Sequence, residues 1–329
     1  MGRDVAAATR GHHAAPLFSG QLPSLDGEVT EWPGRIVESG GVRLHVREVD
    51  GAGQDAVAAV YVHGLGGSST NWTELAGLLA GRTRGLIVDL PGFGRSEPPR
   101  GYEYTMEAHA ATVTRFVDGL GAGPVHLFGN SMGGAISMMV AAGRPDLVRT
   151  LTLVSPAVPD LRPYPSRTSD PRLPLAFLPV VGVPVRRALA ALTPEQRTDQ
   201  LIRLCFASPD EVPRWRIAAF EAEAAERMAM PWARAALNRS TVGLLKSWLV
   251  RRPNSLWAMA RRITAPTLVV WGAEDRLVSV RKAPRTARLI DRGRLLILPG
   301  TGHVAQMERP EPVARAVLGM IEAVDSGMW

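Results

Sequence analysis

The distribution of apolar residues along the chain predicts a buried parallel sheet. Six short runs are almost continuously apolar, as is typical of strands covered on both faces. These runs are residues 56–62, 85–88, 125–128, 151–154, 267–271 and 295–298. Before them, apolar and polar positions alternate over Val42–Val49, which predicts an antiparallel strand that exposes His45 and Arg47. We expect this strand to form a hairpin with Arg35–Ser39 across Gly40-Gly41.

Segments with helical spacing separate the apolar runs. They are residues 72–79, 105–120, 132–142 and 310–324. The last segment has Pro310 in its first turn and repeats Val313, Val317 and Ile321 at a spacing of four, which is the pattern of an amphipathic helix. Alternation of strands and helices predicts an α/β fold with a doubly wound, mostly parallel sheet.

One long stretch interrupts this alternation and predicts a helical lid. Between Pro156 and Pro266, about 110 residues contain no convincing strand. Ile217–Asn238 and Leu244–Val250 have helical character, and Pro231 is expected to kink the first of these helices.

Residues 1–34 are rich in Gly, Pro and Ala and are expected to form a loosely ordered extension. The predicted organisation is an extension (1–34), a core domain in two parts (35–155 and 266–329) and a lid (156–265).

The composition of the chain limits the kinds of molecule that it is expected to bind and the covalent cross-links that it can form. The chain has 38 basic and 31 acidic residues, a net charge of +7, but the arginines are scattered and aromatic residues make up only 6 %. Without a nucleic-acid-binding motif, this pattern argues against a nucleic-acid partner. The single cysteine, Cys205, excludes an intrachain disulfide and, between Leu204 and Phe206, is expected to be a packed thiol.

The apolar segments of the chain are not expected to form a transmembrane helix or a signal peptide. The longest, Leu173–Val185, has 13 residues and contains three prolines, so it is not expected to span a bilayer. No apolar run of signal-peptide length occurs near residue 1. We therefore expect a cytoplasmic protein, and its preference for arginine over lysine is typical of a GC-rich bacterial genome.

The strongest chemical motif is Gly129-Asn130-Ser131-Met132-Gly133. It follows the predicted strand 125–128 and precedes a predicted helix, the context that a nucleophile elbow requires. The glycines permit a turn so tight that larger residues would collide with neighbouring chain. Ser131 is therefore the candidate nucleophile. The alternative is an ordinary strand-to-helix turn in which Ser131 caps the helix.

A serine nucleophile needs a base and an acid, and the chain offers candidates for both at strand ends. Of the seven histidines, His303 lies in the loop after the strand 295–298, where ligand sites of open α/β sheets gather. Asp275 follows the strand 267–271, so the chain order is Ser, Asp, His, as this fold requires. Asp160 is the alternative acid, and Glu274 is expected to point away.

The oxyanion of a tetrahedral intermediate needs two backbone N–H donors. We expect them from Met132, which opens a helix, and from Leu65 in the loop His63-Gly64-Leu65-Gly66-Gly67. This loop lacks the Lys-Ser/Thr that follows a phosphate-binding loop. His63 is expected to brace the loop.

Five ordered motifs resemble those of the α/β-hydrolase superfamily, in particular its lidded esterase- and lipase-like serine hydrolases. The motifs are His63–Gly66, Asp89–Ser96, Gly129–Gly133, Trp271–Asp275, and Gly302-His303 followed by Glu308–Glu311. The resemblance runs from about residue 40 to 323, apart from the lid. It implies that Asp89–Ser96 is a structural loop and that the protein uses no cofactor and no metal. A substrate pocket is expected beside Gly66, Asn130 and Val304.

Several hydrolase classes fit these motifs. The elbow resembles that of hydrolases that cleave carbon–carbon bonds of dienoic ring-fission products, but those enzymes usually carry Ser/Gly-Gly-Pro-Gly where this chain has Gly64–Gly67. Dehalogenases and epoxide hydrolases use an Asp in the place of Ser131. We predict a carboxylesterase for small apolar esters; a thioesterase, a lactonase, a carbon–carbon hydrolase and a non-catalytic receptor remain alternatives.

Apolar residues of the lid fit either an adaptable acyl pocket or simple packing of the lid onto the core. They are Leu173, Leu175, Phe177, Leu178, Val180, Val181, Met228, Met230 and Trp232.

Overall fold

The computed structural model describes residues 14–25, 31–49, 51–53, 56–160, 183–184, 187–188 and 191–329. Within these residues, eight strands form one sheet in the order β1-β2-β4-β3-β5-β6-β7-β8. The strands are β1 Gly34–Ser39, β2 Val42–Val49, β3 Ala58–Val62, β4 Arg84–Val88, β5 Val125–Asn130, β6 Val148–Val154, β7 Thr267–Gly272 and β8 Gly293–Leu298.

The pairing of the strands confirms the predicted α/β fold with a mostly parallel, doubly wound sheet. β1 and β2 form the predicted antiparallel hairpin, and β2 also pairs antiparallel with β4. From β4 to β8 every pairing is parallel. Each of the six apolar runs coincides with one of these strands, the first beginning two residues before β3. The carboxyl ends of β3, β5, β7 and β8 therefore meet at one edge of the sheet, where the fold places ligand sites.

Helices cover both faces of this sheet. Those whose full extent is described are α1 Thr73–Leu79, α2 Met106–Gly119, α3 Met132–Gly143, α4 Pro194–Cys205, α5 Arg214–Ala229, α6 Ala233–Leu249, α7 Leu256–Ala260, α8 Ala283–Leu289, α9 Ala305–Glu308 and α10 Pro310–Asp325. Helices α1 and α10 pack on one face, with Leu268 and Val270 of β7. Helices α2, α3, α7 and α8 pack on the other, with Val269 and Trp271 of the same strand. Burial of alternate residues on opposite faces explains why the strand is apolar throughout.

The expectation that β2 exposes His45 and Arg47 was wrong. Both side chains are about 5 % exposed. His45 Nδ1 lies 2.8 Å from Asp89 Oδ2, and Arg47 donates to Ser69 Oγ (3.0 Å) and to the Trp32 carbonyl (2.6 Å). From His45 onward, neighbouring loops therefore cover the polar face of β2 and bind its polar groups, whereas Arg43 on the same face is exposed. The alternation of apolar and polar residues does not reveal this cover.

Pro231 separates two helices instead of kinking one. Helix α5 ends at Ala229, and Met230 has an extended backbone (ψ 122°), as expected for the residue before a proline. Helix α6 then runs without a break to Leu249, through the predicted gap between Asn238 and Leu244. Helices α4–α7 all lie between β6 and β7, and the described residues of this region contain no strand. We call residues 156–265 the helical insertion.

Residues 14–25 depart from the expected loosely ordered extension. Ala14 forms a parallel bridge with Leu295 of β8, and Phe18 N donates to Arg315 O in α10 (2.9 Å). Arg315 Nη1 in turn donates to the carbonyls of Phe18 and Gly20, at 3.0 Å each. This segment is thus held on the sheet edge and the last helix, whereas residues 1–13 lie outside the described residues.

The apolar lid positions Leu173–Val181 also lie outside the described residues. In the part of the chain that is described, no helix is long and apolar enough to cross a membrane.

Candidate active site

Ser131 occupies the turn between β5 and α3 in a backbone conformation that few residues other than glycine adopt. Its φ is 53° and its ψ is −117°. Its N–H donates to Val154 O (3.0 Å), and its carbonyl accepts from the amides of Ala135 (3.1 Å) and Ala157 (2.8 Å). The side chain makes no capping hydrogen bond to α3, so the hydroxyl is not used to begin the helix.

The glycines on either side of Ser131 are required by close backbone contacts. A β-carbon on Gly133 would lie 2.2 Å from Val62 O, and one on Gly129 would lie 2.4 Å from Gly133 O. The turn therefore packs directly against the end of β3 and against itself. Backbone strain of this kind is maintained only where the surroundings hold it, and it is concentrated at functional sites.

His303 and Asp275 form a buried pair at the same edge of the sheet. His303 Nδ1 lies 2.9 Å from Asp275 Oδ2, with side-chain exposures of 4 % and 0 %. The other carboxylate oxygen, Oδ1, accepts from the amides of Leu277 (2.8 Å) and Val278 (3.0 Å). Asp275 is therefore held by two backbone donors, and its remaining oxygen is directed at the imidazole.

Asp160, the alternative acid, lies elsewhere. Its buried carboxylate pairs with Lys282, with Nζ 3.3 Å from Oδ1. Of the two carboxylates considered from the sequence, the structure brings Asp275 to His303 and holds Asp160 beside a lysine.

Asn130 connects the Ser131 turn with the His303 loop. Its Nδ2 donates to Val154 O (3.1 Å) and to His303 O (3.2 Å). Asn130 is 4 % exposed, so its amide serves to join two backbone segments beneath the surface. Within the described residues no hydrogen bond joins Ser131 and His303; contacts between catalytic groups are often long before substrate binds.

Two glutamates and the helical insertion fix the loop that carries His303. Glu274 Oε2 accepts from Thr301 N (3.0 Å), and Glu308 Oε2 accepts from Gly302 N (2.6 Å). His303 N itself donates to the carbonyl of Cys205 at the end of α4 (2.7 Å). Glu274 does point away from the imidazole, as expected, but it holds the imidazole's loop.

The residues His63–Gly67, which we call the glycine loop, lie against the Ser131 turn. A β-carbon built on Gly64 would lie 3.1 Å from Ser131 Cβ. The N–H groups of Leu65 and Met132, the predicted oxyanion donors, have no hydrogen-bond acceptor within the described residues. At Met132 this follows from its place in the first turn of α3, where backbone donors have no partner within the helix.

His63 braces the glycine loop through both ring nitrogens. Its Nε2 accepts from Leu90 N (3.0 Å), so the proton is on Nδ1, which donates to Gly64 O (2.7 Å). Complete burial lowers the pKa of His63, which keeps the ring neutral in this tautomer. This arrangement corresponds to the bracing role expected from the sequence.

Asp89 organises the neighbouring loop Asp89–Ser96. Its carboxylate accepts from Ser69 N (2.6 Å) and Arg95 N (3.0 Å) and pairs with His45. Burial alone would raise the pKa of Asp89, but the hydrogen bonds from His45 and the two amides lower it below its ordinary value. A β-carbon on Gly94 would lie 2.1 Å from this carboxyl group, so the loop is built closely around it.

The other predicted pocket residues are covered by the helical insertion. Gly66 lies under Leu237 of α6 and Arg227 of α5. Val304 is 8 % exposed and packs with Phe206 and Met307 among others, which gives His303 an apolar flank. Met228 is 50 % exposed and so does not line an enclosed pocket.

Arg227 is a residue that the sequence did not single out. Its guanidinium donates to Gly66 O, 161 positions away along the chain. A long-range contact of this kind has no local sequence signal, since neither the helix period of α5 nor the motif around Gly66 specifies the other partner.

Comparison with known proteins agrees with this architecture. A profile of the alpha/beta hydrolase fold family matches residues 60–310 of the 329-residue chain. Over 300 residues the chain is 28 % identical to a 2-hydroxy-6-oxo-6-(2'-aminophenyl)hexa-2,4-dienoic acid hydrolase of Metapseudomonas resinovorans, covering 87 % of this chain and 90 % of the relative. It is 25 % identical to Lipase 3 of Moraxella sp. strain TA144, over 77 % of this chain and 73 % of the lipase.

One solved structure shows a similar level of sequence identity to this chain. A membrane phospholipase A, described as a bacterial virulence factor, matches with a TM-score of 0.72 at 26 % identity and covers 90 % of this chain and 88 % of its own. The family profile spans most of the chain and agrees with the mostly parallel sheet flanked by helices. The protein therefore belongs to the alpha/beta hydrolase fold family and is a hydrolase.

Proposed function

We propose that this hydrolase cleaves esters of apolar acyl groups through Ser131, His303 and Asp275. The observation that carries the proposal is the buried contact of 2.9 Å between His303 Nδ1 and Asp275 Oδ2, at the sheet edge where Ser131 occupies its strained turn. A carboxylate on Nδ1 keeps the proton there and leaves Nε2 as the base.

The proposed reaction proceeds in two halves. His303 Nε2 takes the proton of the Ser131 hydroxyl while Oγ attacks the acyl carbon, and the carbonyl electron pair moves onto oxygen. The amides of Leu65 and Met132 donate to that oxyanion. Collapse expels the alcohol, protonated by His303, and leaves an acyl-enzyme. Water, deprotonated by His303, then attacks the acyl carbon. Collapse of this second adduct breaks the bond to Ser131 Oγ, which takes the proton from His303, and releases the acid.

Two observations support an apolar acyl group. Val304, which follows His303 directly, and Met307 belong to one apolar cluster with Ile202, Phe206 and Val212 of the helical insertion, so the base has an apolar side. Two of the similar proteins are a lipase and a phospholipase, enzymes whose names denote lipid substrates.

Hydrolysis of a carbon–carbon bond is the second candidate. It is favoured by the similarity to the dienoic acid hydrolase, which covers 87 % of this chain. Against it stands the glycine loop, which has Gly64-Leu65-Gly66-Gly67 in place of the Ser/Gly-Gly-Pro-Gly usual in that group. The same serine and histidine would serve either reaction, so the substrate must be determined by assay.

The test is a series of initial rates on p-nitrophenyl esters from acetate to palmitate. Ser131→Ala is expected to lower kcat by at least about 10³-fold, because no other group supplies the nucleophile. Ser155→Ala is the matched control: this buried serine lies directly after β6, the strand next to β5, and its hydroxyl has no hydrogen-bond partner in the described part of the chain. We expect it to retain wild-type turnover.

A Ser131-dependent rate with an optimum at one chain length would support the ester hydrolase and measure its acyl pocket. Absence of Ser131-dependent turnover on every ester, with loss of the visible absorbance of a dienoic ring-fission product, would replace the proposal with the carbon–carbon hydrolase. Tight binding of a small molecule without turnover would instead favour the receptor.

A further inference from the structure

The glycine loop contains a tight turn that leaves one N–H free to face a ligand. Gly67 N donates to Gly64 O (3.1 Å), which closes a four-residue turn over residues 64–67. Gly66 has a φ of 72°, the conformation that the third position of a type II turn requires. The Leu65 N–H takes no part in closing this turn, but it shares a planar peptide with Gly64 O, so its direction follows from the bonds that hold this carbonyl and the turn.

The core holds one side of this turn. Gly64 O accepts both from Gly67 N and from His63 Nδ1 (2.7 Å). His63 is itself attached to the loop after β4 through Leu90 N. These bonds hold the peptide between Gly64 and Leu65, and the Gly67 N–H that closes the turn belongs to the peptide that carries Gly66 O.

The helical insertion holds the other side. Arg227 of α5 donates through Nη1 to Gly66 O. A β-carbon built on Gly66 would lie 3.8 Å from the same nitrogen and 3.4 Å from Leu237 Cδ1 of α6. Two helices of the insertion therefore close over the third residue of the turn, and a charged donor fixes its carbonyl.

Arg227 is oriented by a second contact between insertion and core. Its Nη2 donates to Glu223 Oε1 (3.1 Å), one helical turn earlier, and Glu223 Oε2 accepts from Thr70 Oγ1 (2.8 Å). Thr70 lies just after the glycine loop. The side chains of Arg227 and Glu223 are 29 % and 17 % exposed, so this bridge is only partly screened by solvent.

We infer that Arg227 is a positioning residue for the oxyanion donor: by binding Gly66 O it fixes the turn that aims the Leu65 N–H. The inference rests on the proposed function, since it assigns Leu65 the donor role. Arg227 touches neither the substrate nor the reacting atoms in this scheme. Replacing Arg227 should therefore weaken stabilisation of the transition state, which lowers kcat, and should leave binding of the ester nearly unchanged.

The experiment compares three variants of the full chain on the best p-nitrophenyl ester. Arg227→Met removes the donors and keeps the length of the side-chain stem, and Arg227→Lys restores a charged donor. Arg95→Met is the matched control: Arg95 also joins the core to α5, through Glu226 at 3.3 Å, but it does not contact the glycine loop. For each protein we would measure kcat, KM, the inhibition constant of an alkyl boronic acid, and Tm.

We expect Arg227→Met to lower kcat about 10- to 100-fold, less than direct loss of an oxyanion donor, with KM changed by less than threefold. The boronic acid, which mimics the tetrahedral adduct, should bind more weakly by the same factor as kcat/KM falls. Arg227→Lys should recover at least part of the loss. Arg95→Met should stay within twofold of the wild type in kcat and in the inhibition constant.

Each other result would overturn the inference. If the wild type shows Ser131-dependent turnover and Arg227→Met matches it, or if Arg95→Met loses as much, the glycine loop does not depend on Arg227, and the proposed function stands. A change confined to KM would make Arg227 a substrate-binding residue. If the wild type has no Ser131-dependent turnover, the proposed function and this inference both fail.

Discussion

At the scale of single residues, Asp275 uses its two carboxylate oxygens for different partners. Oδ1 accepts from two backbone amides, and Oδ2 faces His303. An amide in this position would keep its carbonyl oxygen toward the two N–H donors and turn its NH₂ group toward His303 Nδ1. The imidazole would then have to carry its proton on Nε2, where it cannot act as a base.

Asp275→Asn is therefore expected to lower kcat by about 10³- to 10⁴-fold, because the histidine is held in the wrong tautomer. Asp160→Asn is the control, since Asp160 pairs with Lys282 away from His303, and its folded protein should retain activity. The measurement is kcat on the best ester for protein that is shown by circular dichroism to be folded. Equal losses in both variants would contradict the assignment of the acid.

At the scale of elements, strands and helices were predictable where one local pattern determined them. The continuous apolar runs predicted β3–β8, and the Gly-x-Ser-x-Gly motif between a strand and a helix located the Ser131 turn. The prediction failed where a distant partner decided the outcome. His45 is buried by Asp89, 44 positions away, and Arg227 reaches Gly66 across 161 positions.

Two glycines of the same helix, α3, provide a test of the strand–turn–helix element. Gly133→Ala is expected to abolish activity and to lower Tm strongly or prevent folding, because its β-carbon would lie 2.2 Å from Val62 O and 2.4 Å from His63 O. Gly143→Ala at the end of α3 meets no atom within 4 Å. It should leave activity unchanged and raise stability by roughly 0.5–1 kcal/mol, since alanine favours the helix. Thermal unfolding and ester turnover of both variants would check this; an active, stable Gly133→Ala protein would refute the close contact with β3.

At the scale of the whole molecule, buried histidines link folding to pH. Burial lowers the pKa of His109 to about 3 and that of His126 to about 4, and it also lowers the pKa of His63. In the unfolded chain each would titrate near its ordinary value of about 6.5. The unfolded state therefore binds more protons below that pH, so stability is complete above about pH 6.5 and is lost as the pH falls toward 4.

His126 allows this linkage to be measured at one position. Its Nδ1 lies 2.8 Å from Thr150 Oγ1 within the sheet, and an asparagine amide offers the same contact without titrating. In the wild type this residue alone should account for a loss of up to roughly 3 kcal/mol of unfolding free energy between pH 6.5 and 4. Urea unfolding at pH 7.5, 6 and 5 should show a shallower pH slope for His126→Asn. An identical slope would mean that His126 is protonated in the native state.

The attachment of α4 to the His303 loop has a consequence for protein engineering. Cys205 O accepts from His303 N, and Glu308 Oε1 accepts from the amides of Ala207 (2.9 Å) and Ser208 (3.2 Å). Residues 205–208 thus lie within the helical insertion along the chain, but their hydrogen bonds attach them to the loop that carries His303. A chimaera that grafts another protein's insertion onto this core should keep these four residues from this chain. A graft joined only at the ends of β6 and β7 would replace residues 205–208 with foreign chain. It would then displace His303 while exchanging the insertion.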